Sequence, residues 1–237
     1  MLELSDISSA LVVVAHPDDI DFGVAGTVGV LTDQGSAVTY CLVTSGEAGG
    51  DDRGLPRPDM AALREREQTL AAKAMGVSDL LFLGYPDGRV EATLDLRRDL
   101  ARVIRSVRPD VVIGQNPERF LDIIYASHPD HRAVASATLD AVYPDARNPF
   151  AFPELLDESL EPHSVGEVWL LPHHEPNRLV DISATIDRKI DALCCHESQI
   201  SDRDFADRLL RDWARSNAQT HGFDAEYAEA FRVVPTG

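Results

Sequence analysis

A chain of 237 residues with 44% apolar side chains is long enough to bury one core of ordinary size. Its 40 acids against 22 bases leave a net charge of −18, which argues against nucleic acid or an anionic membrane as partner. No run of 18 apolar residues could span a bilayer, and "MLELSDISSA" has no basic segment ahead of a signal-like apolar run, so a cytoplasmic protein is expected.

In chain order, "ALVVVA" (10–15) is continuously apolar and β-branched, the pattern of a strand buried on both faces. "AVTYCLVT" (37–44) reads as a second strand. Residues 58–77 read as a helix, with Ala62, Leu63, Leu70, Ala71 and Met75 near helical spacing and Gly76 as its stop. "LLFLG" (80–84) is a third strand. A helix over 94–110 carries Leu96, Leu100, Val103, Ile104 and Val107 on one face, with Pro109 ending it. "VVIGQN" (111–116) is a fourth strand, 131–142 a helix, 143–164 a long loop insertion and "EVWLL" (167–171) a fifth strand. A last helix begins near Ser183 within 180–200. Strands alternating with helices predict a single α/β domain over 1–237, with a mainly parallel sheet in a three-layer fold. Ligands bind such sheets at the carboxyl edge of the strands. Cys41, Cys194 and Cys195 match neither a disulfide framework nor a CxxC site.

That edge is where the chemistry gathers. The first strand runs into His16-Pro17-Asp18-Asp19. With Pro17 as first helical residue, His16 and Asp19 are three apart and share a helix face. An imidazole and a carboxylate together suit zinc or another borderline divalent ion. Asp18 is turned off that face and is free to be a base. The competing reading is a helix start dressed with acids for the dipole. "ASHPDHRAV" (126–134) weakens it, because His128 and His131, also three apart, follow the fourth strand and reach the same edge. A catalytic zinc takes three protein ligands and keeps an open position. His16, Asp19 and one of His128 and His131 supply three. The other histidine and Asp18 are then left as acid and base.

"AHPDD" after the first strand with "HPDH" later in the chain resembles the LmbE-like/PIG-L zinc-dependent N-deacetylases. "TSGEAGG" (44–50), "REREQTLAAKAMGV" (64–77), "FLGYPDG" (82–88), "DRKIDALCCHESQ" (187–199) and "YAEAF" (227–231) are similar to further segments of that family. The resemblance implies a Rossmann-like fold and a zinc site of His16, Asp19 and His131, a set that also accepts Fe2+ or Co2+. It implies Asp18 as general base, His128 as the group that stabilises the oxyanion and protonates the leaving amine, and Asp130 as the acid that orients His128. It places Arg64, Glu47 and Asp87 near a sugar. The implied substrate is a small N-acyl sugar of N-acetylglucosamine type; the sequence is compatible with a homo-oligomer and does not fix the oligomeric state. Alternatives are an amidase removing a larger acyl group from a glucosaminyl thiol conjugate, and a sugar- or nucleotide-binding module without catalysis. Two departures bear on substrate. Ile20 stands where many members have Glu, the acid moving to Asp21. Ala126 stands where some sugar-thiol deacetylases have Tyr, with Tyr125 one position off.

The remaining signals read as structural. Gly23, Gly26 and Gly29 form GxxGxxG beside two acids, which suits close packing and not a pyrophosphate. Ser45 lacks the Gly-x-Ser-x-Gly elbow of a serine hydrolase. His163, His173, His174 and His221 read as loop or surface polarity, and His196 as a packed residue or a support to the site. Arg64 is a solvated helix residue unless the helix start faces the site.

Overall fold

A computed structural model describes residues 1–50, 54–121 and 124–237, and leaves the side chains of 125 and 126 undescribed. The sequence differences at Tyr125 and Ala126, and part of the loop over 46–59, therefore lie outside the described residues. Five parallel strands, β1 (Ser9–Val14), β2 (Ala37–Thr44), β3 (Asp79–Tyr85), β4 (Val111–Gln115) and β5 (Glu167–Leu171), form most of one sheet. β6 (Arg178–Asp181) and β7 (Ala228–Pro235) complete it in the order β3-β2-β1-β4-β5-β7-β6, with β7 antiparallel to both neighbours.

The sequence does not announce β6 and β7. β6 is four residues long, and β7 carries Glu229 and Arg232 within its run, so neither shows the continuous apolar pattern of a buried parallel strand.

Alternation along β1 divides the core. Ala10, Val12 and Val14 join one buried cluster with Tyr40, Leu42, Trp169 and Phe231, while Leu11 and Val13 join another with Cys41, Val112 and Leu100. The first cluster packs beneath α1 (Asp19–Gly23), α2 (Ala25–Asp33), α3 (Arg57–Ala74) and two later helices. The second packs beneath α4 (Leu94–Val107) and α5 (Pro129–Asp140). Three layers result.

Helix boundaries differ from expectation for local reasons. α1 begins at Asp19, not at Pro17, because Asp18 adopts a left-handed φ of 88°. α4 ends at Val107, where Arg108 is left-handed. α5 starts at Pro129, ahead of the expected 131, because the ring of His128 caps it.

Residues 143–164 are not a plain loop. They hold the short helix α6 (Glu154–Asp157) and are pinned by Arg105 of α4. Its buried guanidinium donates to the carbonyls of Ala146, Asp145, Asn148 and Ala151 at 2.9–3.1 Å and to that of Leu160 at 3.4 Å. Arg105→Leu orphans those carbonyls and is expected to cost on the order of 4 kcal/mol in urea unfolding. A loss under about 0.5 kcal/mol, the range of ordinary surface changes, would show the anchor to be dispensable.

α7 (Ile186–Leu193) and α8 (Arg203–Thr220) cover the last strands. The 18-residue α8 has no counterpart in the sequence reading. Buried Lys189 of α7 pairs with Glu229 of β7 at 2.5 Å, and Glu229 accepts the N–H groups of Gly26 and Thr27 at the start of α2. A Cβ on Gly26 would lie 2.8 Å from Glu229 and from Ile182. The glycines of 23–29 thus serve contact, and titration with nicotinamide or flavin dinucleotides is expected to give no saturable binding. A saturable signal would restore the cofactor reading.

Candidate metal centre and active site

β1 delivers residues 15–19 to the carboxyl edge of the sheet. The backbone at Ala15 is tied to both neighbouring strands, its N–H donating to Gln115 Oε1 at 3.2 Å and its carbonyl accepting from Thr44 N at 2.9 Å. α5 brings His131 to the same edge. His16 Nδ1 lies 3.2 Å from His131 Nε2 and 3.4 Å from Asp19 Oδ2, and His131 Nε2 lies 3.1 Å from Asp19 Oδ1. A tetrahedral ion with bonds of about 2.0–2.1 Å places its ligand atoms roughly 3.3 Å apart. Two imidazoles and a carboxylate at that spacing are a fitting donor set for a zinc-like ion.

The opposite nitrogen of His16 explains why Nδ1 is the free one. His16 Nε2 faces Asp87 Oδ1 at 3.1 Å and Asp130 Oδ2 at 3.3 Å. Asp130 is anchored by the N–H groups of Gly88 and Val90, and Asp87 by that of Ala48. The Nε2 proton therefore goes to the carboxylates, and the ring, once neutral as a metal ligand must be, offers the lone pair of Nδ1 toward Asp19 and His131. Burial opposes charge on His16, yet its bonds to Asp130, Asp19 and Asp87 push its pKa up to about 12. Burial would raise Asp19, Asp87 and Asp130. Instead His131 and His16 hold Asp19 well below the usual carboxylate range, and His16 holds Asp87 and Asp130 below it. This corner is built to hold positive charge. His16, Asp87 and Asp130 also lie within metal-ligand reach of one another. That group uses Nε2 and two carboxylates already engaged by backbone, so it suits support of His16 better than a separate ion.

Asp18 stands beside this junction and outside it. Its carboxylate accepts from Arg64 at 2.9 Å, and its N–H donates to Gln68 Oε1 at 2.9 Å. Burial and the neighbouring Asp19 raise its pKa to about 6 against the pull of Arg64. The backbone turn, and not the helical offset expected from sequence, is what separates Asp18 from Asp19. His128 completes the group, its ring centroid 5.0 Å from that of His16 and 5.3 Å from that of His131. Its Nδ1 accepts the backbone N–H of Asp130 at 3.2 Å, so the proton of a neutral ring sits on Nε2. Burial, then His16 and His131, lower its pKa and favour that neutral ring.

Four residues make contacts other than those expected. Asp130 steadies His128 through its backbone, while its carboxylate goes to His16. Arg64 is 4% exposed and reaches inward, donating to Gly46 O at 2.9 Å and Pro17 O at 2.6 Å besides Asp18. Position 46 favours glycine, because its φ is +68° and a Cβ would fall 2.3 Å from the guanidinium as it lies. Asp87 and Glu47 brace loops. Glu47 accepts the N–H of Asp87 at 2.8 Å, and Asp87 accepts that of Ala48 at 2.9 Å. The geometry makes Arg64, Asp87 and Glu47, like Asp130, part of the frame around His16 and Asp18. Gln68 escaped the sequence reading, although its place four residues after Arg64 puts both on one helix face.

Residues 11–142 match the PIG-L family, described as GlcNAc-PI de-N-acetylase. The chain belongs to the PIG-L family. The matched segment of this PIG-L chain runs from β1 through α5 and so contains every residue of the junction. The chain is 32% identical over 233 residues to diacetylchitobiose deacetylase of Thermococcus kodakarensis, covering 98% of this chain and 85% of that one. It is 33% identical to a probable N-acetyl-alpha-D-glucosaminyl L-malate deacetylase 2 of Bacillus cereus, covering 80% and 82%. Its structure is similar to that of N,N'-diacetylchitobiose deacetylase from Pyrococcus horikoshii complexed with an inhibitor, with TM-score 0.89 and 30% identity over 98% of this chain and 85% of that chain. The expected three-layer, mainly parallel fold is that of these PIG-L relatives.

Proposed function

We propose that this PIG-L chain is a zinc-dependent hydrolase that removes the N-acetyl group from an N-acetylglucosamine-type sugar or sugar conjugate. One observation carries the reading. Two His-Pro-Asp segments, beginning at His16 and His128, converge, so that His16 Nδ1, Asp19 and His131 Nε2 stand at ligand spacing with Asp18 beside them. The named relatives act on acetylated glucosamine units, which supplies the substrate class.

His16, Asp19 and His131 would hold the ion. When bound, zinc polarises an amide carbonyl and makes water more acidic. The carboxylate of Asp18 takes a proton from the attacking water as the water oxygen bonds to the acetamide carbon. The Nε2–H of His128 donates to the carbonyl oxygen as charge develops there. The carbon–nitrogen bond then breaks, and Asp18 returns its proton to the departing amine. Arg64 holds Asp18 in place, and Asp87 and Asp130 hold His16. A lowered pKa on His128 favours this neutral donor over the protonated acid expected from sequence. Fe2+ or Co2+ would suit the same donors. A binding module without catalysis would have no use for an oriented carboxylate and imidazole beside a metal junction.

Metal analysis of the purified protein, with acetate release measured on N,N'-diacetylchitobiose and on N-acetylglucosaminyl conjugates, tests the proposal. Bound metal with stoichiometric acetate and free amine is expected. Metal without release on any of these would point to a different acyl group or to a binding module.

A further inference from the structure

Behind the junction lie three polar side chains that the proposed reaction does not use. Asp21 of α1, Gln68 of α3 and His196, in the turn after α7, are each 0% exposed. His196 Nε2 donates to Asp21 Oδ2 at 2.8 Å, and Gln68 Nε2 donates to the same oxygen at 2.9 Å. Gln68 Oε1 then accepts the N–H of Asp18 at 2.9 Å. Asp21 Oδ1 and His196 Nδ1 have no partner among the described residues. Buried polar groups left in part unpaired destabilise a fold, and apolar side chains would fill the same space at lower cost. A structural role alone leaves this arrangement unexplained.

Its polarity supplies the explanation. An ionised carboxylate only accepts hydrogen bonds, so Asp21 turns the NH2 end of Gln68 toward itself. The amide carbonyl must then face Asp18. Asp18 is a non-glycine residue at φ 88°, a conformation that persists only where its surroundings over-determine it. Helix α3 grips it at two points: Gln68 takes its N–H, and Arg64, one turn earlier, takes its carboxylate.

We propose that Gln68, Asp21 and His196 are positioning residues that hold Asp18 in its left-handed turn and so keep its carboxylate off the ligand junction of His16, Asp19 and His131. The inference rests on the reading of Asp18 as base. His196 sets Asp21, Asp21 sets the sense of the Gln68 amide, and Gln68 sets the backbone of Asp18.

The test measures metal content, kcat and KM for Gln68→Met, Asp21→Leu and Asp21→Asn, with Asp18→Asn alongside. Gln68→Met and Asp21→Leu are expected to keep their metal and a KM close to wild type while kcat falls about tenfold to a hundredfold, the scale of a misplaced reacting group. Asp21→Asn keeps an oxygen for both donors and loses only the oxygen without a partner, so it should retain most of kcat. Wild-type kcat in Gln68→Met overturns the inference. So does a loss carried by KM or by metal content, or an Asp21→Asn protein as impaired as Asp21→Leu. If Gln68→Met does not fold, His196→Leu and His196→Gln carry the same contrast, since Gln keeps a donor toward Asp21. An inactive Asp18→Asn beside a fully active Gln68→Met defeats this inference alone. A fully active Asp18→Asn defeats the assignment of the base as well.

Discussion

His131→Ala is expected to lose metal and turnover together. His131 Nε2 stands 3.2 Å from His16 Nδ1 and 3.1 Å from Asp19, so its removal leaves one nitrogen and one carboxylate to hold an ion. Changing a group that only supports a ligand costs about 10–100-fold in metal affinity, and a ligand itself costs more. Asp130→Asn and Asp87→Asn belong to the milder class, because both act through Nε2 of His16. Metal titration of the four proteins should therefore rank wild type first, the two Asn variants next and His131→Ala last. His128→Ala should bind metal like wild type. If His128→Ala sheds its metal while His131→Ala keeps it, the two histidines have been assigned the wrong way round.

Asp18→Asn and His128→Ala are expected to remain folded and metal-loaded while losing turnover. Asparagine fills the space of Asp18 and cannot take a proton, and removing a positioned base costs about 10²–10⁴ in rate. His128 acts through a proton on Nε2, fixed there because Nδ1 accepts from Asp130. Its alanine variant should lose about 10²–10³, the scale of one donor to a developing oxyanion. The pH–rate profile separates two modes of action. Were His128 a cationic acid, the rate would fall as pH rises through its pKa, and that limb would vanish in His128→Ala. Burial, then His16 and His131, lower the pKa of His128, and its Nδ1 accepts the N–H of Asp130, so the neutral ring is favoured as donor and no such limb is expected. Normal kcat in Asp18→Asn with metal bound would remove the base from the mechanism.

The chain by itself determined the layered plan and the place of the chemistry. Ala10–Val14 is apolar at every position because a parallel strand is buried on both faces, and that pattern needs no tertiary knowledge. β2, β4 and β5 were legible from runs that are mostly, though not wholly, apolar. His-Pro-Asp at two strand ends could be paired in advance, since parallel strands bring their carboxyl ends to one edge. Short or charged strands carry no such period. β7 became legible only once Glu229 was seen capping α2 against Lys189, a contact of 40 residues' separation. Arg64, Glu47 and Asp87 show the same limit. Sequence pointed to each as a polar residue near the site, but whether a side chain faces substrate or frame depends on which backbone groups the fold presents to it. Arg64 turned inward because Gly46 and Pro17 offered carbonyls, and Asp87 turned toward His16 because Ala48 held its other oxygen. Asp18 and Asp19 are adjacent in the chain and chemically identical. What separated them was a left-handed turn that Gln68 and Arg64 hold from another helix. Residue types and strand order are local properties of the sequence, whereas the direction of a carboxylate is decided by hydrogen-bond partners that only the folded chain brings within 3 Å.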